Sequence, residues 1–284
     1  MKLLLPASRR ALLAFGLWLF AVASSGTASA AGAAERPVLR VLVVGNSLTY
    51  TNNLPGLLRA LASAQENGPA ISTTTYVLPG ADLVWHWRNG TVAKAIDQEH
   101  WDVLVLQERG GILACLADSQ HRGEPECLAS SRAHRQFAEL AGKKGVRVLL
   151  LGTWGPDAIW QGNLDRGLRI AARSTQAKPV FAGTALRAYA SSHPGQPLFT
   201  DAALHPTLPA SLIVAAVLYR ELAGQPAHAR DLVLDFPLKP DASQLQGTSP
   251  MEPGPAFAGE RKVLPAATMA PLLEAASGHP GAPN

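Results

Sequence analysis

The sequence predicts an α/β protein built on a five-stranded parallel sheet with helices on both faces. Three observations predict it. Five short apolar runs, at residues 38–44, 71–78, 103–106, 146–151 and 179–182, alternate with segments of helical periodicity. The run at 103–106 (Val-Leu-Val-Leu) is apolar without a break, as in a strand buried on both faces of a parallel sheet. Polar residues able to do chemistry follow the strand ends, where open α/β sheets place their sites.

Taken in order, residues 38–44 form the first strand, and 54–64 carry an amphipathic helical pattern. Alternation and β-branching make 71–78 the second strand, stopped by Pro79-Gly80. Residues 82–98 read as helix with a break near Asn89-Gly90, ahead of the third strand. An irregular stretch at 110–130 holds both cysteines, Cys115 and Cys127. A helix over 132–144 ends at Gly145, a residue suited to the left-handed turn after a helix, and leads to the fourth strand. Helices at 164–172 and 184–191 flank the short fifth strand. Pro206 introduces a last apolar helix over 208–222, about three turns long and too short for a membrane span. No internal repeat is visible.

Both ends lie outside this pattern. Residues 1–30 read as a signal peptide: Lys2, Arg9 and Arg10 form a basic head, 11–23 an apolar run, and Ala28-Ser29-Ala30 a small-residue cleavage site. Ser8-Arg9-Arg10 suits twin-arginine as well as general export. The expectation is a periplasmic or secreted protein with no membrane anchor after cleavage near Ala30. Residues 36–225 are expected to form the folded domain. Residues 226–284 read as a Pro/Gly/Ala-rich tail, with linker or disorder over 241–260 and an isolated helical turn or two at 269–276.

Composition excludes some functions. The chain carries 25 Lys+Arg against 21 Asp+Glu. Removing the three basic residues of the head leaves 22 against 21, close to neutral. No basic run with interleaved aromatics remains, which argues against nucleic acid. Two cysteines in an exported chain are expected to pair, closing a loop worth roughly 3 kcal/mol. Without a matching His cluster they make no zinc site, and no other metal-ligand spacing is present.

Two stretches carry the chemistry. Val41-Leu42-Val43-Val44-Gly45-Asn46-Ser47 reads as a buried strand running into a turn that presents a serine. Asp201-Ala202-Ala203-Leu204-His205-Pro206 offers a carboxylate and an imidazole together. A serine on a strand-to-helix turn plus a distant Asp/His pair suits nucleophilic acyl transfer. The same residues have plainer uses: Ser and Asn lead at helix N-caps, and Asp201 could cap a turn.

These stretches resemble the SGNH (GDSL-type) hydrolase superfamily. Gly45-Asn46-Ser47-Leu48 is similar to its first block, with Asn where Asp is commoner. Gly80 stands at the glycine of its second block, and Asp201 to Pro206 resembles its last, Asp-x-x-His-Pro. Trp101-Asp102-Val103-Leu104-Val105-Leu106-Gln107-Glu108 and Thr153-Trp154-Gly155 are similar to a subgroup with Leu-Gln-Glu in place of Gly-x-Asn-Asp. The resemblance covers about residues 38–223 and implies a three-layer α/β/α sandwich of flavodoxin-like order, a serine ester hydrolase, and no cofactor. It implies Ser47 as nucleophile, His205 as base and Asp201 as its orienting acid. The Ser47 and Gly80 N–H groups and the Gln107 amide would form the oxyanion hole, and Trp154 and Asn46 would contact substrate. Two departures stand out. Gln107 replaces the family's Asn, and Asp201 lies four residues before His205 where three is usual, with Ala202 in the usual position. Either the loop lets Asp201 reach the imidazole or another group orients His205. The expected substrate is a short acyl ester, O-acetyl foremost, of a small molecule or glycan. A lipid ester or thioester, or a non-catalytic binding role, are the alternatives.

Overall fold

The computed structural model describes residues 36–251 and 261–278. The signal-peptide reading, and the part of the linker reading at 252–260, lie outside the described residues.

Chain order is β1 (Val38–Gly45), α1 (Ser47–Tyr50), a 3-10 turn (Thr51–Asn53), α2 (Leu54–Ser63), β2 (Ala70–Val77), α3 (Leu83–Asn89), α4 (Thr91–Gln98) and β3 (Val103–Gln107). A 3-10 segment (Ile112–Ala117), α5 (Pro125–Lys143), β4 (Arg147–Leu151), α6 (Ala158–Thr175), β5 (Lys178–Val180), α7 (Ala182–Ser192) and α8 (Leu208–Ala223) follow. The chain closes with β6 (Leu232–Leu234), a 3-10 turn (Ala242–Gln244), β7 (Lys262–Leu264) and α9 (Ala266–Ser277).

The five predicted strands form one parallel sheet in the order β2-β1-β3-β4-β5. The chain reverses direction across the sheet between β1 and β3, the switch point where doubly wound folds open a crevice. Period-two alternation sorts side chains to the two faces. Val41, Val43, Val103, Val105, Leu149 and Leu151 face a core shared with α2, α7, α8 and α9. Leu42, Val44, Leu104, Leu106, Val148 and Leu150 face a second core shared with α3, α4, α5 and α6.

Side chains fix several boundaries. Asn53, Asp82, Asp157 and Thr207 cap α2, α3, α6 and α8 by accepting from the first-turn N–H groups. Gly90, at φ 79°, breaks α3 from α4 where the Asn89-Gly90 break was expected. The cap of α8 is Thr207; Pro206 instead forms a bridge with Phe199.

Two expectations are corrected. Cys127 does not lie in a loop: α5 begins at Pro125, seven residues before the expected start, because Pro suits the first turn of a helix. Cys115 and Cys127 are joined, with Cα atoms 6.0 Å apart. Domain packing does not stop at 225. Ala227, Leu232, Leu234, Leu264, Met269, Leu272, Leu273 and Ala276 all belong to the first core, β6 and β7 pair antiparallel, and Met251 bridges Thr75. The physical reason is α8, whose residues from Ala210 to Tyr219 are all buried. A helix apolar on every side needs cover on every side, and α9 supplies the cover the sheet, α2 and α7 leave missing.

Candidate active site

The serine turn is built from three buried polar side chains, Asn46, Thr49 and Gln107. Asn46 caps α1 in extended backbone; its Oδ1 accepts from Leu48 N–H at 3.1 Å and its Nδ2 donates to the Ala81 carbonyl at 2.9 Å. Ser47 is therefore the first helical residue, half-buried, and its N–H is one of the donors no intrahelical carbonyl can reach. Gln107, at the end of β3, lies beneath the turn: Oε1 accepts from Asn46 N–H at 3.2 Å and Thr49 Oγ1 at 2.7 Å. Since Asn46 N–H can only donate, it fixes which end of the amide faces the turn. Gln107 Nε2 donates to the Glu108 carbonyl. Gly45 is required here by space, because a Cβ would come within 2.3 Å of Thr49 Oγ1 and 2.7 Å of Gln107 Oε1.

Two expected roles change with this geometry. Gln107, 1% exposed, turns its acceptor toward the serine turn and donates elsewhere, so it is a support of that turn in place of an oxyanion donor. Asn46, 2% exposed with both side-chain ends engaged, caps the helix that begins at Ser47 and does not line a substrate surface.

His86, for which the sequence offers no motif, lies beneath the turn as well. Its Nε2 donates to the Gly45 carbonyl at 2.8 Å, and its Nδ1 is buried with no hydrogen-bond partner. Burial pushes this imidazole below its ordinary range, which keeps Nδ1 unprotonated; the Gly45 bond opposes that shift more weakly. Glu108 is a second hidden support. One carboxylate oxygen accepts from Leu83 N–H at 3.1 Å and Arg109 N–H at 2.7 Å; the other takes the Ser130 hydroxyl at 2.6 Å. It thereby locks the start of α3, the end of β3 and α5 together.

The His205 loop closes on itself. Asp201 Oδ2 lies 2.6 Å from His205 Nδ1, and Asp201 Oδ1 accepts from His205 N–H at 3.2 Å. The four-residue spacing is accommodated by Leu204, which adopts φ 60°, a left-handed conformation costly for a branched side chain. Leu204 is held there by its own carbonyl, which accepts from the Trp154 indole N–H at 2.8 Å. Trp154 is 4% exposed and stacks on Phe199, so it clamps the loop from below. The His205 side-chain bond, then the backbone bond, hold the Asp201 carboxyl below the usual carboxylate range. An ionised Asp201 on Nδ1 leaves Nε2 as the free lone pair of the ring.

Contacts join these pieces. Asn52, just after α1, donates to the Pro206 carbonyl at 2.8 Å and to Ser211 Oγ at 3.0 Å, tying the serine segment to the histidine segment. The Asn46 bond to Ala81 ties it to the exposed Pro79-Gly80 turn, where Gly80 takes the φ of 68° that a type II turn demands. Between the Ser47 and His205 segments opens a hollow of about 350 Å³ lined by Leu48, Trp154, Pro156, Trp160, Leu164 and Leu204, among others. Among the described residues, no three His, Cys, Asp or Glu side chains cluster as metal ligands.

A doubly wound α/β protein with a Ser, His and Asp at the carboxyl edge of its sheet is thus the class defined. No family model matches the chain, and no curated protein matches it. Solved structures do. A DUF4886 family protein from Bacteroides uniformis superposes with a TM-score of 0.53 at 15% identity, covering 66% of this chain and 84% of its own. A catalytic mutant of an acetylxylan esterase from Geobacillus stearothermophilus gives 0.47 at 14% identity, covering 65% and 94%. TesA gives 0.46 at 19% identity, covering 64% and 97%. The first likeness shows the fold alone; the other two fall below a TM-score of 0.5, and no argument rests on them.

Proposed function

We propose that this protein is an exported serine ester hydrolase that cleaves short acyl esters, O-acetyl foremost, through a Ser47 acyl-enzyme. The observation that carries the reading is the Asp201–His205 contact at 2.6 Å in a loop whose Pro206 carbonyl is bonded to Asn52 of the serine segment. A serine hydroxyl is a weak nucleophile until a base takes its proton. His205 Nε2 receives the Ser47 Oγ proton as Oγ bonds to the ester carbonyl carbon. The imidazolium, steadied by Asp201, then gives that proton to the leaving alkoxide as the C–O bond breaks. Water repeats the cycle on the acyl-serine and releases a carboxylic acid. The Ser47 and Gly80 N–H groups are the donors for the developing oxyanion; losing one such donor costs about 3 kcal/mol of barrier. The small apolar hollow beside Leu48 favours a short acyl group over a long chain.

The test is p-nitrophenyl acetate hydrolysis and fluorophosphonate labelling of the mature protein. Ser47→Ala is expected to abolish both, and Asp201→Ala to lower kcat on the order of 10³-fold. Hydrolysis indifferent to Ser47, or labelling at another serine, would overturn the reading.

A further inference from the structure

The sequence marks 110–130 only as an irregular stretch that holds both cysteines. In the structure it walls a second hollow of about 560 Å³, larger than the one beside Leu48. Gly110, Gly111 and Trp160 line both hollows, so the second adjoins the first and forms the half distal to the Ser47 and His205 segments. The Cys115–Cys127 bridge and the 3-10 segment form one bank of the distal half. The N-terminal turns of α6 form the other. The banks are pressed together: at Gly167 of α6 a Cβ would lie 1.8 Å from the Leu113 carbonyl oxygen.

What the distal half offers is specific. Trp160 is 46% exposed and lines both hollows, at their junction. Gly155 makes room for it, since a Cβ there would meet Trp160 Cβ at 2.8 Å. Around the far rim stand Asp118, His121, Glu124 and Glu126. Arg109 offsets Glu126, while one imidazole serves two carboxylates, with Asp118 2.7 Å from His121 Nδ1 and Glu124 3.9 Å from His121 Nε2, so the rim stays net negative. A carboxylate already paired still has lone pairs free to accept hydroxyl protons. A partly exposed indole beside several acceptors suits a ring with apolar C–H faces and many hydroxyls. It disfavours an anionic headgroup, which would face three carboxylates, and a long acyl chain, which would meet a polar rim.

We infer that this distal hollow is the subsite for the alcohol half of the ester and takes a neutral saccharide, with Trp160 as its stacking platform. The inference rests on the esterase reading for its place in the reaction, but not for its binding. The acyl half then lies toward Leu48 and the sugar toward the disulfide.

Two measurements separate the inference from the reading beneath it. The first uses Ser47→Ala protein and unacetylated neutral oligosaccharides, xylo- and manno-configured, with uronate and glucosamine oligomers alongside, read by saturation-transfer NMR. Saturable binding of the neutral oligomers, lost in Ser47→Ala/Trp160→Ala and restored in Ser47→Ala/Trp160→Phe, is expected whether or not the wild type hydrolyses anything. No binding, or binding unaltered by Trp160→Ala, overturns the subsite; preference for the uronate or glucosamine oligomers overturns its neutral character. The second compares kcat/KM on partly O-acetylated neutral oligosaccharides with kcat/KM on p-nitrophenyl acetate. Trp160→Ala is expected to lower that ratio at least tenfold, through KM, with Trp160→Phe recovering most of it. An equal fall on both substrates would make Trp160 merely structural.

Discussion

At the residue scale, the site is held from below by buried side chains. Gln107, His86 and Glu108 hold the two strand ends; Trp154 and Phe199 hold the histidine loop. Trp154 shows how such support reaches function. Its indole N–H fixes the carbonyl of Leu204, the residue in left-handed backbone immediately before His205. Trp154→Phe keeps the aromatic stack and deletes the donor. A lost hydrogen bond of this kind is worth about 1 kcal/mol, too little to unfold the protein and enough to let the loop relax. The expected outcome is a fall in kcat on p-nitrophenyl acetate of about fivefold, since about 1.4 kcal/mol is one decade. KM and the melting temperature should shift little. A variant with wild-type kcat would show that the clamp does not govern His205.

Helices and strands explain which parts of the chain belong together. The sheet's C-terminal edge gathers Ser47 from β1, the Gly80 turn from β2, and the segments after β3 and β4, because parallel strands all end on one side. Helix α9 is the element whose importance is least apparent locally, since it carries an internal Pro271 and follows a Pro/Gly-rich stretch. Its weight comes from burial. Met269 is 0% exposed against the core that α8 shares with the sheet. Met269→Ala is expected to cost about 3 kcal/mol, as for large-to-small core changes generally. Thermal unfolding should then move down by roughly 6–12 °C for a domain of this size. A shift of a degree or less would mean that α9 packs only loosely on α8.

For the whole molecule, stability is linked to pH through groups beneath the serine turn. His86 has a folded-state pKa depressed by burial, so the unfolded chain takes up its proton first as pH falls. Stability from this group is complete above its ordinary value of about 6.5 and is lost as pH falls below that toward its folded value. His86→Gln leaves a side-chain N–H to serve the Gly45 carbonyl but removes the titration. Denaturant midpoints between pH 7 and pH 5 should fall more steeply for the wild type than for His86→Gln. Parallel slopes would show that His86 titrates alike folded and unfolded.

Local order determined much of this protein. Apolar alternation in 38–44 and 146–151, the unbroken run at 103–106 and the glycines at 90 and 145 were enough to place the strands, most helices and the side of the sheet where Ser47 and His205 fall. Those signals are local, because side-chain periodicity and backbone preference act within a few residues. What depended on distant partners was decided only by the tertiary structure. Asp201 reaches His205 across the unusual spacing because Trp154, about fifty residues upstream, holds Leu204 in place. Gln107 accepts where a donor was expected because Asn46 N–H, from the turn after β1, lies opposite it. The all-round apolarity of α8 was visible in the sequence and implied a cover; that α9 is the cover was not. Burial belongs to a pair of surfaces, and one stretch of sequence records only its own half.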